Sequence, residues 1–104
     1  MTVSELIEQY LEVLNEKATT ISTTAYGVSK GRKFAKVLAH GSQTSVHAFV
    51  NLENGDVIKP ATFNAPQKNA DGTFAVRYNL VDDESRELLF EKAEFSGGYL
   101  YLNR

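Results

Sequence analysis

"SVHAFVNLENGDVIKPATFNAPQK", residues 45–68, decides how the rest of the chain is read. An apolar run ending at Leu52 meets Asn54-Gly55, and a second strand-like run resumes at Val57. Both turn residues tolerate the positive φ of tight turns, so the stretch predicts a β-hairpin with strands over 44–52 and 57–63. Pro60 has no amide to donate, which puts the second strand at a sheet edge or turns Pro60 away from the ladder. Loop length then decides which side chains share a face, because a one-residue slip exchanges the faces. A three-residue loop, Glu53-Asn54-Gly55, sets Phe49 opposite Lys59 and gathers His47, Phe49, Lys59 and Phe63 on one face. A two-residue loop sets Val50 opposite Lys59 and leaves an ammonium among aliphatic side chains, at a cost on the order of several kcal/mol. The three-residue register is therefore expected, and its mixed face is the candidate site.

Outward from the hairpin, the pattern is α+β. Thr2-Val3-Ser4-Glu5 has the form of a capping box. Leu6, Ile7, Tyr10, Leu11 and Leu14 follow at helical spacing, which predicts an amphipathic helix over 3–17. Strands are expected over 21–28 and 33–40, joined by the turn Ser29-Lys30-Gly31-Arg32. Beyond the hairpin, Asp71-Gly72 marks a second turn and 74–80 a further strand. Acids at Asp82, Asp83 and Glu84 suit a helix start, with Leu88, Leu89, Lys92 and Phe95 at helical spacing. This predicts a second helix near 83–95, a strand being the alternative. Gly97-Gly98 would end it, before a short terminal strand over 99–102. The expected architecture is a single domain, 1–104, with an antiparallel sheet of four to six strands covered by helices.

Composition narrows the chemistry. The 104 residues are 42% hydrophobic and 23% charged, enough apolar surface for one ordinary core. The absence of cysteine excludes disulfides, thiolate nucleophiles and cysteine zinc sites. No run approaches the roughly 18 apolar residues of a membrane span, and the N-terminus lacks a signal-peptide pattern. A soluble intracellular protein with no membrane partner is expected. His40 and His47 lack the converging acids a metal would need, and no glycine-rich phosphate loop is present. Ser42 and Ser45 lie near His47 without the G-x-S-x-G turn of a hydrolase. No cofactor, metal site or catalytic set is expected, and His47 by itself reads as a sheet histidine.

Charge is distributed more tellingly. Residues 29–79 carry seven cations against three acids, while both flanking segments are net acidic. Lys33, Lys36, Lys59, Lys68 and Arg77 lie among Phe34, Phe49, Phe63 and Tyr78. Cations interleaved with aromatic rings on a sheet suit a nucleic-acid platform, by phosphate neutralisation and base stacking. Against this, the sequence pI of about 5.6 lies well below that of typical nucleic-acid-binding domains. The expected ligand-binding residues are Lys33, Lys36, His47, Phe49, Lys59, Phe63, Lys68 and Arg77, on a basic, aromatic sheet face and the adjoining loop 59–68. Nucleic acid is the first partner, a host or phage protein anchored by the same aromatics is the alternative, and a small enzyme using His47 is a third reading.

The strand "SVHAFV" (45–50) and the run "GDVIKPATFNAPQK" (55–68), with "GRKFAKV" (31–37) before and "RYNL" (77–80) after, resemble a group of small tailed-phage proteins, notably cyanophage-like ones. The resemblance spans roughly residues 31–80, and "GGYLY" (97–101) extends it. It implies a phage origin and a host-cytoplasm setting, and carries no activity with it. Phe63 stands where that pattern has tryptophan and Gln67 where it has alanine. "NADGT" (69–73) lengthens the loop before Arg77.

Overall fold

A computed structural model describes residues 2–18, 25–93 and 98–100. Thr2 starts the first helix, α1 (Val3–Ala18), through the reciprocal bonds its sequence promised. The Glu5 amide donates to Thr2 Oγ1 (3.2 Å) and the Thr2 amide to Glu5 Oε1 (3.0 Å). Five strands follow: β1 (Ala25–Lys30), β2 (Phe34–His40), β3 (Thr44–Asn51), β4 (Asp56–Ile58) and β5 (Val76–Asn79). They form one antiparallel meander in sequence order. The second helix, α2 (Asp83–Lys92), settles the helix-or-strand question at that position. A 3-10 turn occupies Gly98–Leu100, where a terminal strand was expected. The expected strand residues 21–24 and 101–102, the helix end 94–95 and the Gly97 stop lie outside the described residues.

The two faces of the sheet carry different coverings. Toward the helices, Leu6, Ile7, Tyr10, Leu11 and Leu14 of α1 pack on Ala35, Val37, Ala48, Val50 and Val57, with Tyr78, Leu80 and Leu89 completing the core. Each sits at the spacing its element demands, 3.6 on the helix and 2 on the strands. The acidic side chains of α1 and α2 (Glu8, Glu12, Glu16, Glu84, Glu87 and Glu91) are exposed. On the opposite face Phe49 and Ile58 are buried outside that core, beneath the long connection from β4 to β5.

Hairpin register differs from both sequence-based alternatives. The loop has four residues, 52–55: Val50 faces Val57 and Phe49 faces Ile58, so the Phe49–Lys59 pairing does not form. The Gly55 amide closes the turn on the Asn51 carbonyl (2.8 Å). Asn51 and Asn54 side chains accept from the Glu53 and Asp56 amides, both at 2.9 Å. Only Gly55 takes a positive φ, of 80°, and Asn54 does not. Two asparagines that cap backbone amides thus replace the tight turn that Asn-Gly suggested. The expected strand over 57–63 is also too long. β4 ends at Ile58, just before Pro60, and the chain leaves the sheet.

Two registers slip, each by one residue. Val37 pairs with Ala48 and Leu38 with Val46, which leaves His47 as an extra residue in β3. Likewise Val57 pairs with Tyr78 and Ile58 with Val76, leaving Arg77 extra in β5. Such bulges re-aim a side chain that strict alternation would send elsewhere.

Candidate functional site: a cationic, aromatic cleft

The connection between β4 and β5 is ordered by backbone bonds despite having no regular strand. Lys59, Gln67 and Ala75 form a closed ring: Lys59 N–H to Ala75 O (3.2 Å), Ala75 N–H to Gln67 O (2.8 Å), and Gln67 N–H to Lys59 O (2.8 Å). Two small fingers project from this ring. One is paired at Pro60 and Pro66, the other at Lys68 and Phe74. The first finger tightens at its tip, where the Ala61 and Thr62 amides donate to Ala65 O. That tip carries Phe63 and Asn64 over the sheet. The second turns at Gly72, whose φ is 89°. It is held by Asp71 accepting from the Thr73 amide (3.0 Å) and hydroxyl (2.6 Å). These bonds hold the Asp71 carboxyl below its ordinary range.

Under the fingers lies a cleft of about 300 Å³, lined by Lys30, Arg32, Lys33, Lys36, Phe34, Phe49, Asn64 and Pro66, with Ser29 and Gly31. Four cations and no acid line it. The rings are stacked edge to face, Phe34 on Phe49 (6.3 Å) and on Phe74 (5.3 Å). Lysines sit over these rings: Lys33 over Phe34 and Phe74 (5.6 Å each), Lys68 over Phe74 (5.5 Å) and Lys36 over Phe63 (4.5 Å). Each contact is a cation–π attraction that positions an ammonium without neutralising it. Lys36 also donates to Asn64 Oδ1 (3.2 Å), and Lys30 to Ser4 Oγ (3.1 Å). Glu53 approaches this region only in an adjoining dip with Arg32 and Lys33.

Of the eight residues singled out in the sequence, Lys33, Lys36, Phe49, Phe63 and Lys68 come together here. Phe49 is 2% exposed and forms the floor rather than a contact surface. Lys59 belongs to the backbone ring and is half-buried. His47 and Arg77 lie elsewhere, so the expected shared face of His47, Phe49, Lys59 and Phe63 does not exist. The bulges aim both at the C-terminal turn: His47 Nε2 lies 2.6 Å from Tyr99 Oη, and Arg77 Nε donates to Leu100 O (2.9 Å). Tyr99 in turn hydrogen-bonds the Tyr10 hydroxyl, and Tyr26 packs edge-on against the His47 ring (5.1 Å). Burial pushes the Tyr10 and Tyr99 phenols above their ordinary range. Sequence reasoning missed Lys30, Arg32 and Phe74 as site residues, whereas Asn64 and Pro66 belong to the loop 59–68 that it singled out. Phe74 could have been found, because Asp71-Gly72 as a turn brings it opposite Lys68. Among the described residues no three His, Asp or Glu side chains converge as a metal would need, and no helix is long and apolar enough to cross a membrane.

A helix-backed antiparallel meander with a cationic cleft on its far face defines a small α+β protein. The chain belongs to the DUF7717 family, a family of unknown function, whose model matches residues 1–102. Neither the curated proteins nor the solved structures yield a match.

Proposed function

We propose that this protein is a non-catalytic binding module for nucleic acid, taken up along the cationic cleft and the fingers above it. The carrying observation is a cleft with four cations and no acid, in a chain whose net charge is −2. Phosphates are the natural complement: Lys30, Arg32, Lys33 and Lys36 would neutralise them, while lysines held over aromatic rings keep their charge available. The exposed acids of α1 and α2 lie on the helical side, which accounts for a low pI in a protein with a basic surface. The resemblance to tailed-phage proteins supports an infected host's cytoplasm as the setting.

The test is fluorescence anisotropy with a short labelled oligonucleotide, single-stranded and duplex, across a salt series. Binding that weakens steeply with salt supports the reading. No binding at low salt with micromolar protein would sink it. A protein partner is the second reading, favoured by Phe63, 49% exposed at the tip of its finger. A partner recovered by wild type and lost with Phe63→Ala, without any oligonucleotide binding, would favour that reading.

A further inference from the structure

The finger carrying Phe63 separates two clefts of unlike chemistry. On one side is the cationic cleft, reached through Lys36 and Asn64. On the other is a second cleft, also about 300 Å³, walled by Thr44, Ser45 and Val46 of β3 and by Pro60, Thr62 and Phe63 of the finger. It carries no charged side chain. Its polar groups are hydroxyls, which both donate and accept. Phe63 is the one exposed phenylalanine or tyrosine ring among the described residues. It is also preset: Asn64 N–H bonds Thr62 Oγ1 (3.3 Å), Lys36 bonds Asn64, and the Lys36 ammonium stands 4.5 Å from the ring centroid. The Phe63 ring thus walls the uncharged hollow and meets the charged one through Lys36.

We propose that Phe63 and the hydroxyl-lined cleft form the seat of an unpaired nucleobase, with the strand's phosphates continuing into the cationic cleft. This rests on the nucleic-acid reading and adds the character of the ligand: a single strand, contacted through a base. A nucleotide unit is divided as the two hollows are, into a flat uncharged base and a charged phosphate. Stacking on an aromatic ring needs a base out of its helix, so duplex offers the seat nothing to hold. Hydroxyls of Thr44, Ser45 and Thr62 can serve any base edge, which suits binding with little sequence preference.

The experiment compares an oligo(dT) strand with an abasic strand of equal length, each titrated with the full chain and with Phe63→Leu. Leucine keeps an apolar side chain at this exposed position and removes the π face, and an unchanged melting curve verifies the fold. Wild type is expected to bind oligo(dT) about tenfold more tightly than the abasic strand, the scale of one stacked base. Phe63→Leu should abolish that preference, costing oligo(dT) far more than the abasic strand, and keep the salt slope, because the Lys36 charge stays when the ring beneath it is lost. Equal binding of both strands by wild type, or an equal loss on both in Phe63→Leu, overturns the base seat and leaves phosphate binding standing. Tighter binding of a glutamate-rich peptide than of oligo(dT), lost in Phe63→Leu, overturns it in favour of a protein partner. Failure to bind either strand at low salt overturns both readings.

Discussion

Lys17 ends α1 and at the same time closes α2, donating to the carbonyls of Phe90 (2.8 Å), Glu91 (3.0 Å) and Ala93 (2.7 Å). A cation at a helix C-terminus meets both unsatisfied carbonyls and the negative end of the helix dipole. Lys17→Met is expected to cost about 2 kcal/mol in urea unfolding, the scale of hydrogen bonds to a charged group. A change within experimental error would mean that water serves those carbonyls as well. Glycines make a sharper comparison. Gly55 and Gly72 both have left-handed φ, but a Cβ on Gly55 would stand 2.9 Å from Val81 Cγ2, whereas at Gly72 nothing lies within 4 Å. Gly72→Ala should therefore lose only the left-handed cost, about 1–2 kcal/mol, and Gly55→Ala distinctly more. Equal losses in paired melts would refute the steric part. The buried phenols give a pH dependence. Burial raises the folded-state pKa of Tyr10 and Tyr99 above the unfolded value near 10, so their contribution is intact below that pH. Above it the unfolded chain ionises first and stability falls. Tyrosinate absorbance should rise together with unfolding, and Tyr10→Phe should flatten the alkaline slope. Ionisation of all five tyrosines at pH 10 in a still-folded chain would contradict this.

At the scale of elements, what was legible in the sequence follows from how local its cause is. The Thr2–Glu5 box and the Leu6-to-Leu14 stripe depend on residues three and four apart, and α1 formed as expected. An antiparallel sheet of four to six strands followed from turn residues spaced along the chain, and the structure makes it a five-stranded meander. The hairpin register did not, because it depends on Asn51 and Asn54 capping amides within the loop, and on Asn79 from β5. The Asn79 side chain donates to Asn54 O (3.1 Å) and Asp56 Oδ1 (2.7 Å), ties that are remote in sequence. The bulges were equally hidden: "HAFVN" is buried at every position, with no alternation to show where it breaks. So His47 and Arg77 looked like ligand residues, when tertiary contacts with Tyr99 and Leu100 hold them. Asn15 shows the same kind of long-range tie, its amide bonding both the N–H (2.7 Å) and the C=O (3.1 Å) of Tyr26 on edge strand β1. Asn15→Ala leaves both Tyr26 groups to find water and is expected to destabilise by about 1–2 kcal/mol. Hydrogen exchange at Tyr26 should quicken at the same time, and an unchanged rate would show that the tie is not holding the edge.

For the whole molecule, the decisive property is separation of charge. Acids project from the helices and cations ring the far cleft, so a chain of net charge −2 presents two faces of opposite sign. Local potential, rather than the sum, governs an approaching polyanion within a Debye length of about 8 Å at physiological salt. Lys33→Gln and Lys36→Gln should each lower the salt slope of oligonucleotide binding by about one, while Glu12→Gln on α1 leaves it unchanged. An effect of Glu12→Gln equal in size and opposite in sign to those of the lysine variants would show that net charge alone matters. The ring joining Lys59, Gln67 and Ala75 has a practical corollary. It stands between the second finger and the first, and a Cβ at Gly72 would meet nothing within 4 Å. A short peptide spliced between Asp71 and Gly72 would give up the Asp71–Thr73 bonds of that turn but ride outside the ring. That makes the tip a port for tethering or imaging the protein while Phe63 keeps its seat.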